Sequence, residues 1–149
     1  MPISDQPTYN VALLAAISPQ QTSQCVLTSP FVRMADFGSC LAIMKTGAQK
    51  PTCANVVLSL EQALDANGSG AKAIAGKRDA YLGGGSSGDS RIEINLLASE
   101  LDSAHGFGWV RMRIDVGTDH AVLDATLLGL DPVSPPASDF NGPGCAVVA

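Results

Sequence analysis

The sequence predicts a mostly β fold, an antiparallel β-sandwich or jelly roll with extended N- and C-terminal arms, on three observations. Short apolar runs of strand length recur along the chain. Turn residues separate them, supplied by fifteen Gly and nine Pro. The segment 109–116 alternates cleanly: Val110, Met112, Ile114 and Val116 share one face, and Arg111, Arg113 and Asp115 the other. Period-two patterning of this kind marks a strand with one buried and one wet side. Six to eight such strands, punctuated by Gly and Pro, pack as two sheets.

Taken in order, residues 1–9 are polar, carry Pro2 and Pro7, and read as an extended N-terminal arm. The body of the fold spans residues 10–130. The apolar run 10–17 is a strand that Ser18-Pro19 should end, because Pro withholds a ladder N–H. Residues 24–28 form a second short strand, stopped by Pro30. The compact run 38–44 reads as a buried strand. Residues 55–64 fit either period: Val56, Leu58 and Leu60 alternate, while Val56, Val57, Leu60, Ala63 and Leu64 make a helical stripe. The β context on both sides favours a strand.

Asp65-Ala-Asn-Gly-Ser-Gly70 is a turn. Residues 71–90 are polar and Gly-rich, and read as a long exposed loop with a short strand near 72–75. Residues 91–97 alternate again. Gly117-Thr-Asp-His120 reads as a hairpin loop returning the chain as a strand over 121–130, paired with 109–116. Residues 131–149, with Pro132, Pro135, Pro136 and Pro143, read as an extended C-terminal arm.

Charge and composition exclude several functions. Net charge is −5, and the nine Lys and Arg are dispersed, so no basic footprint for nucleic acid or a membrane surface exists. The apolar run 11–17 is too short to span a bilayer, and Met1–Gln6 do not read as a secretory leader. Cys25, Cys40, Cys53 and Cys145 form no C-x-x-C pair, and with His105 and His120 alone no zinc signature can be assembled. They read as free, small apolar residues, with a disulfide between neighbouring strands left open.

Candidate chemistry is sparse, and no cofactor is expected. Asp65-x-Asn67-x-Ser69-Gly70 opens like a calcium loop, but its twelfth position is Gly76, where a bidentate Glu belongs. Gly83–Gly88 lacks the Lys-Ser/Thr ending of a phosphate loop. His105 and His120 sit in loops without a nucleophile elbow. Glu93, Glu100 and Asp102 read as a solvated surface. With few aromatics to line a pocket, an enzyme is not expected.

Two segments carry a resemblance. Residues 57–76 (VLSLEQALDANGSGAKAIAG) and 92–117 (IEINLLASELDSAHGFGWVRMRIDVG) resemble small proteins encoded beside the major capsid protein of tailed bacteriophages. In those proteins a "leu-glu-x-ala" strand precedes an Asp/Gly turn. An aromatic-x-x-Val-Arg strand, an apolar strand and a Pro-rich tail come after it. Here Trp109 directly precedes Val110-Arg111, a departure from that pattern, and Leu127-Leu-Gly-Leu-Asp-Pro132 leads into the tail. The resemblance spans residues 35–136. It implies a virion structural protein, a capsid cement (decoration) protein on the outer head surface, made in the host cytoplasm. Its expected partners are the major capsid protein and itself, as a homotrimer. Pro7, Trp109, Arg111, Arg113, Pro135 and Pro136 are then the expected interface residues, with both arms docking on the shell. Other virion positions (connector, tail or spike base), a carbohydrate-binding β-sandwich and a small hydrolase are the alternatives.

Overall fold

The computed structural model describes residues 6–22, 24–47, 55–81, 90–117 and 121–148. After a helical turn α1 (Pro7–Asn10) come nine strands: β1 (Val11–Thr22), β2 (Cys25–Thr28), β3 (Val32–Arg33), β4 (Phe37–Thr46), β5 (Val56–Ala63), β6 (Lys72–Tyr81), β7 (Ser90–Leu97), β8 (Trp109–Val116) and β9 (Ala121–Pro132). They form two antiparallel sheets. One has the order β1-β9-β4-β7; the other has β2-β8-β5-β6, with β3 also on β8. Val11 pairs with Leu130, Cys25 with Val116, Ser39 with Leu97 and Val56 with Tyr81. The first half of the chain therefore pairs with the second as one long ribbon, doubled back near the Asp65–Gly70 turn. Wrapping that ribbon into two sheets gives the jelly roll.

The core comes from alternation. Ala42, Met44, Ile94, Leu96, Leu123 and Leu127 point inward from the four-stranded sheet, and Leu58, Leu60, Val110, Met112 and Ile114 from the five-stranded one. They interleave in a single cluster. Burying a Leu, Ile or Met side chain is worth about 1.5–3 kcal/mol, so this layer holds the sheets together. Residues 56–63 are a strand, as their context favoured.

Four expectations are corrected. First, β8 and β9 do not pair as a hairpin: β8 belongs to the five-stranded sheet and β9 to the four-stranded one. Alternation reports one buried face, and strands facing each other across a core have the same pattern as hairpin partners. Second, β1 runs through Ser18-Pro19 to Thr22. It is an edge strand, and Pro19 falls in a register irregularity between Ile17 and Gln20, where a missing N–H is tolerated. Third, the expected loop begins with the ten-residue strand β6. Fourth, the terminal segments are not simple extended arms. Pro7–Asn10 are helical, and residues 137–142 lie on the protein's own body. Ala137 is buried and Phe140 meets Phe37 edge-on at 5.5 Å. The Leu13 N–H donates to Asn141 Oδ1 (2.9 Å), and the Gly142 N–H donates to the Leu13 carbonyl (2.8 Å).

Candidate functional site

The outer faces of the two sheets are where a partner could act, and they differ in chemistry. On the five-stranded sheet, β5 and β8 run side by side so that Glu61 lies opposite Arg111, Ser59 opposite Arg113 and Ala63 opposite Trp109. The Arg111 Nε donates to Glu61 Oε1 at 2.8 Å, and Arg113 approaches Glu61 Oε2 at 3.7 Å. Arg113 also donates from Nε and Nη2 to Asp115, at 3.1 and 3.0 Å. Those bonds and the Asp115 charge hold the Arg113 guanidinium above its ordinary pKa. The Arg111 guanidinium stacks 4.5 Å over the Phe31 ring. Glu61 is nearly buried beneath these groups.

The expected interface residues divide into two places. Trp109, Arg111 and Arg113 share this face, as their spacing implied, with Trp109 half-buried between Ala63 and Arg33. Pro7 lies at the start of α1 and is exposed. Pro135 is exposed and Pro136, joined to it by a cis peptide, is half-buried just before the turn carrying Ala137. The two prolines therefore lead into a docked segment.

The four-stranded sheet presents another surface. The cross-strand row Leu13–Leu128–Leu41–Asn95 faces outward, next to the row Val11–Leu130–Ser39–Leu97. Ile43 and Thr126 come next, flanked by Glu93. Leu13 is 44% and Leu97 55% exposed. Charge borders this face at both ends: at one the Asp131 carboxylate accepts from Ser39 Oγ at 3.1 Å, and at the other Lys45 meets Asp124 at 3.5 Å and Arg91 meets Glu93 at 3.3 Å. Sequence reasoning overlooked this patch: an outward Leu in an alternating strand looks like any half-buried position until the strand order aligns several of them.

The remaining candidates have local explanations. Asp65 Oδ1 accepts the N–H groups of Asn67 and Ser69, at 2.9 and 3.1 Å, and hydrogen bonding from Ser69 depresses its pKa. Its carboxylate thus closes the turn. Asp102 bridges Lys72 at 2.6 Å and His105 Nδ1 at 2.7 Å, and Lys72 first, then His105, lowers its pKa. Glu100 accepts the Leu97 N–H and pairs with Lys77. Burial pushes the Cys40 thiol up to about 12, and Cys25, Cys40 and Cys145 are free. Among the described residues no three His, Cys, Asp or Glu side chains gather as a metal site. Cys53, Gly83–Gly88 and His120 lie outside the described residues.

No family model matches the chain, and no curated protein matches it. Among solved structures it is similar to the Yersinia pseudotuberculosis-derived mitogen, at 11% identity and TM-score 0.42, covering 85% of this chain and 89% of that one. It is also similar to a chain of infectious bursal disease virus, Gt strain (12% identity, TM-score 0.48, 87% of this chain), of which it spans 35%. The CBM22-2 xylan-binding domain of Paenibacillus barcinonensis Xyn10C is another (12%, 0.41, covering 81% and 91%). Likenesses this remote say nothing about what the chain binds.

Proposed function

We propose that this chain is a capsid cement protein. It is a non-catalytic structural protein that binds the outer surface of a tailed-phage head and stabilises the shell, acting as a homotrimer on the major capsid protein. The observation that carries this reading is the outward apolar patch of the four-stranded sheet, from Leu13 through Leu128 and Leu41, with Leu130 and Leu97 beside it. Contiguous exposed apolar surface with a charged margin marks a protein-binding face. The resemblance of residues 57–76 and 92–117 to head proteins supplies the partner. The other outer face does not suit a sugar ligand, because its ion pairs satisfy one another and Phe31 lies under Arg111.

Quantitative mass spectrometry of gradient-purified particles tests the role. A copy number comparable to the shell protein is expected. A few copies per particle would move the chain to the connector or tail, and absence would end the virion reading. The double variant Leu13→Glu, Leu97→Glu alters two exposed positions, and it should weaken binding to stripped heads at least tenfold while the fold is retained.

A further inference from the structure

We propose that the outer margin of the five-stranded sheet carries a binding site for a single oxyanion, a carboxylate or phosphate group, held between Arg78 and Arg113 over the Ser59 hydroxyl. The register builds it. Ser59 on β5 pairs with Arg78 on β6 and with Arg113 on β8, so the three side chains form one cross-strand row on the outward face. Neighbouring strands stand about 4.8 Å apart, which puts the two arginine backbones roughly 10 Å from each other with the serine between them. Both side chains are long enough to reach a group placed over Ser59. A hollow of about 340 Å³ lies there, with Ser59, Glu61, Lys77, Arg78 and Arg113 in its lining. Its outer wall is a bulge in β6. Ala73 lies opposite Glu61 and Arg78 opposite Ser59, so residues 74–77 stand against Leu60 alone. Gly76 takes φ +76° in that bulge, with open space where a Cβ would stand.

The charges around the hollow decide its ligand. Glu61 is already held: Arg111 donates to it at 2.8 Å, and its side chain is only 11% exposed. Lys77 pairs with Glu100 at 2.9 Å. Arg113 gives Nε and Nη2 to Asp115, while its Nη1 stands 3.7 Å from Glu61, beyond hydrogen-bond reach. Arg78 is exposed and has no partner among the described residues, and neither has the Ser59 hydroxyl. The ion-pair network over β5 and β8 therefore stops short of β6. It leaves an unmatched guanidinium, a second guanidinium's unused nitrogen and a hydroxyl on one row. A guanidinium fork takes carboxylate or phosphate oxygens by paired N–H···O bonds, and a hydroxyl between two of them adds a third donor.

The site does not rest on the cement reading: it lies on the opposite sheet from the apolar patch and is tested on the isolated chain in solution. The full chain is titrated with sodium phosphate and, separately, with sodium acetate, chloride holding the ionic strength constant. The arginine Nε–Hε and backbone amide NMR signals are followed. Saturable shifts centred on Ser59, Arg78 and Arg113 are expected. Arg78→Gln, at an exposed position, should weaken binding about tenfold with the far-ultraviolet circular dichroism unchanged. Arg78→Lys keeps the charge but loses the fork, and should fall between the parent and Arg78→Gln. Saturation by phosphate alone would assign the site to a free phosphate. Saturation by acetate would assign it to a carboxylate, the group an acidic side chain of a partner protein presents. Shifts that grow linearly with both anions, or an Arg78→Gln variant that binds as tightly as the parent, would overturn the site.

Discussion

The outer faces of the two sheets are built on the same strand geometry and do opposite things. Over β5 and β8, outward side chains pair among themselves: Glu61 with Arg111 and Arg113, and Arg113 with Asp115. Over β1, β9 and β4, the outward positions Leu13, Leu128 and Leu41 lie side by side without an ion pair among them, and Ile43 follows between Thr126 and Glu93. A charged face that satisfies itself has little left to offer a partner. An apolar face exposed to water gains by being covered. The difference separates a face whose charges are matched from one that leaves apolar surface toward water, the face on which the proposed function rests.

The comparison breaks most sharply at Glu61. Glu61→Ala leaves two guanidinium groups without their shared acceptor, one of them half-buried, and should cost about 2 kcal/mol in urea unfolding. An unchanged midpoint would mean that the network is ornamental. On the opposite face, Leu128→Ser removes one half-buried aliphatic side chain from the outward row, with a smaller loss of about 1 kcal/mol. A loss as large as that at Glu61 would make the patch part of the core rather than a docking face.

The smallest effect concerns the exposed cluster at the edge of the five-stranded sheet. Asp102 titrates below its ordinary 3.8 because Lys72, and then His105, favours its anion. A carboxylate whose pKa is lower folded than unfolded adds stability above the unfolded value, and loses it as pH falls through the folded one. The contribution is therefore present at neutral pH and disappears in acid below 3.8. Lys72→Met should move the Asp102 titration, followed by carboxylate NMR, up toward 3.8, with little change in neutral-pH melting.

The sequence made most of the strands legible and their pairing less so. Val110 to Val116 could be read directly because each position alternates. β6 could not, because as an edge strand it buries Ile74 and carries Lys72, Arg78 and Asp79 toward water. The placement of β9 opposite β8 rather than beside it depends on contacts more than a hundred residues apart, such as Leu13 with Leu128. Arg111 and Arg113 were recognisable as neighbours by parity alone. Their acceptor Glu61 was not, since it lies fifty positions away on a segment whose period fitted helix as well as strand. The docked tail is signalled only by Phe140 and the Asn141-Gly142 pair, faint marks within a Pro-rich stretch.

The doubled ribbon has a consequence during synthesis. β1 leaves the ribosome early, yet its partner β9 spans Ala121–Pro132. At the usual pace of translation, roughly 5–20 residues per second, the run Val11-Ala-Leu-Leu-Ala-Ala-Ile17 waits roughly 5–20 seconds without its strand mate. Through that interval a nascent chain carries an open apolar edge beside others made from the same message. Its protection comes only when the last strand emerges and the first is zipped shut.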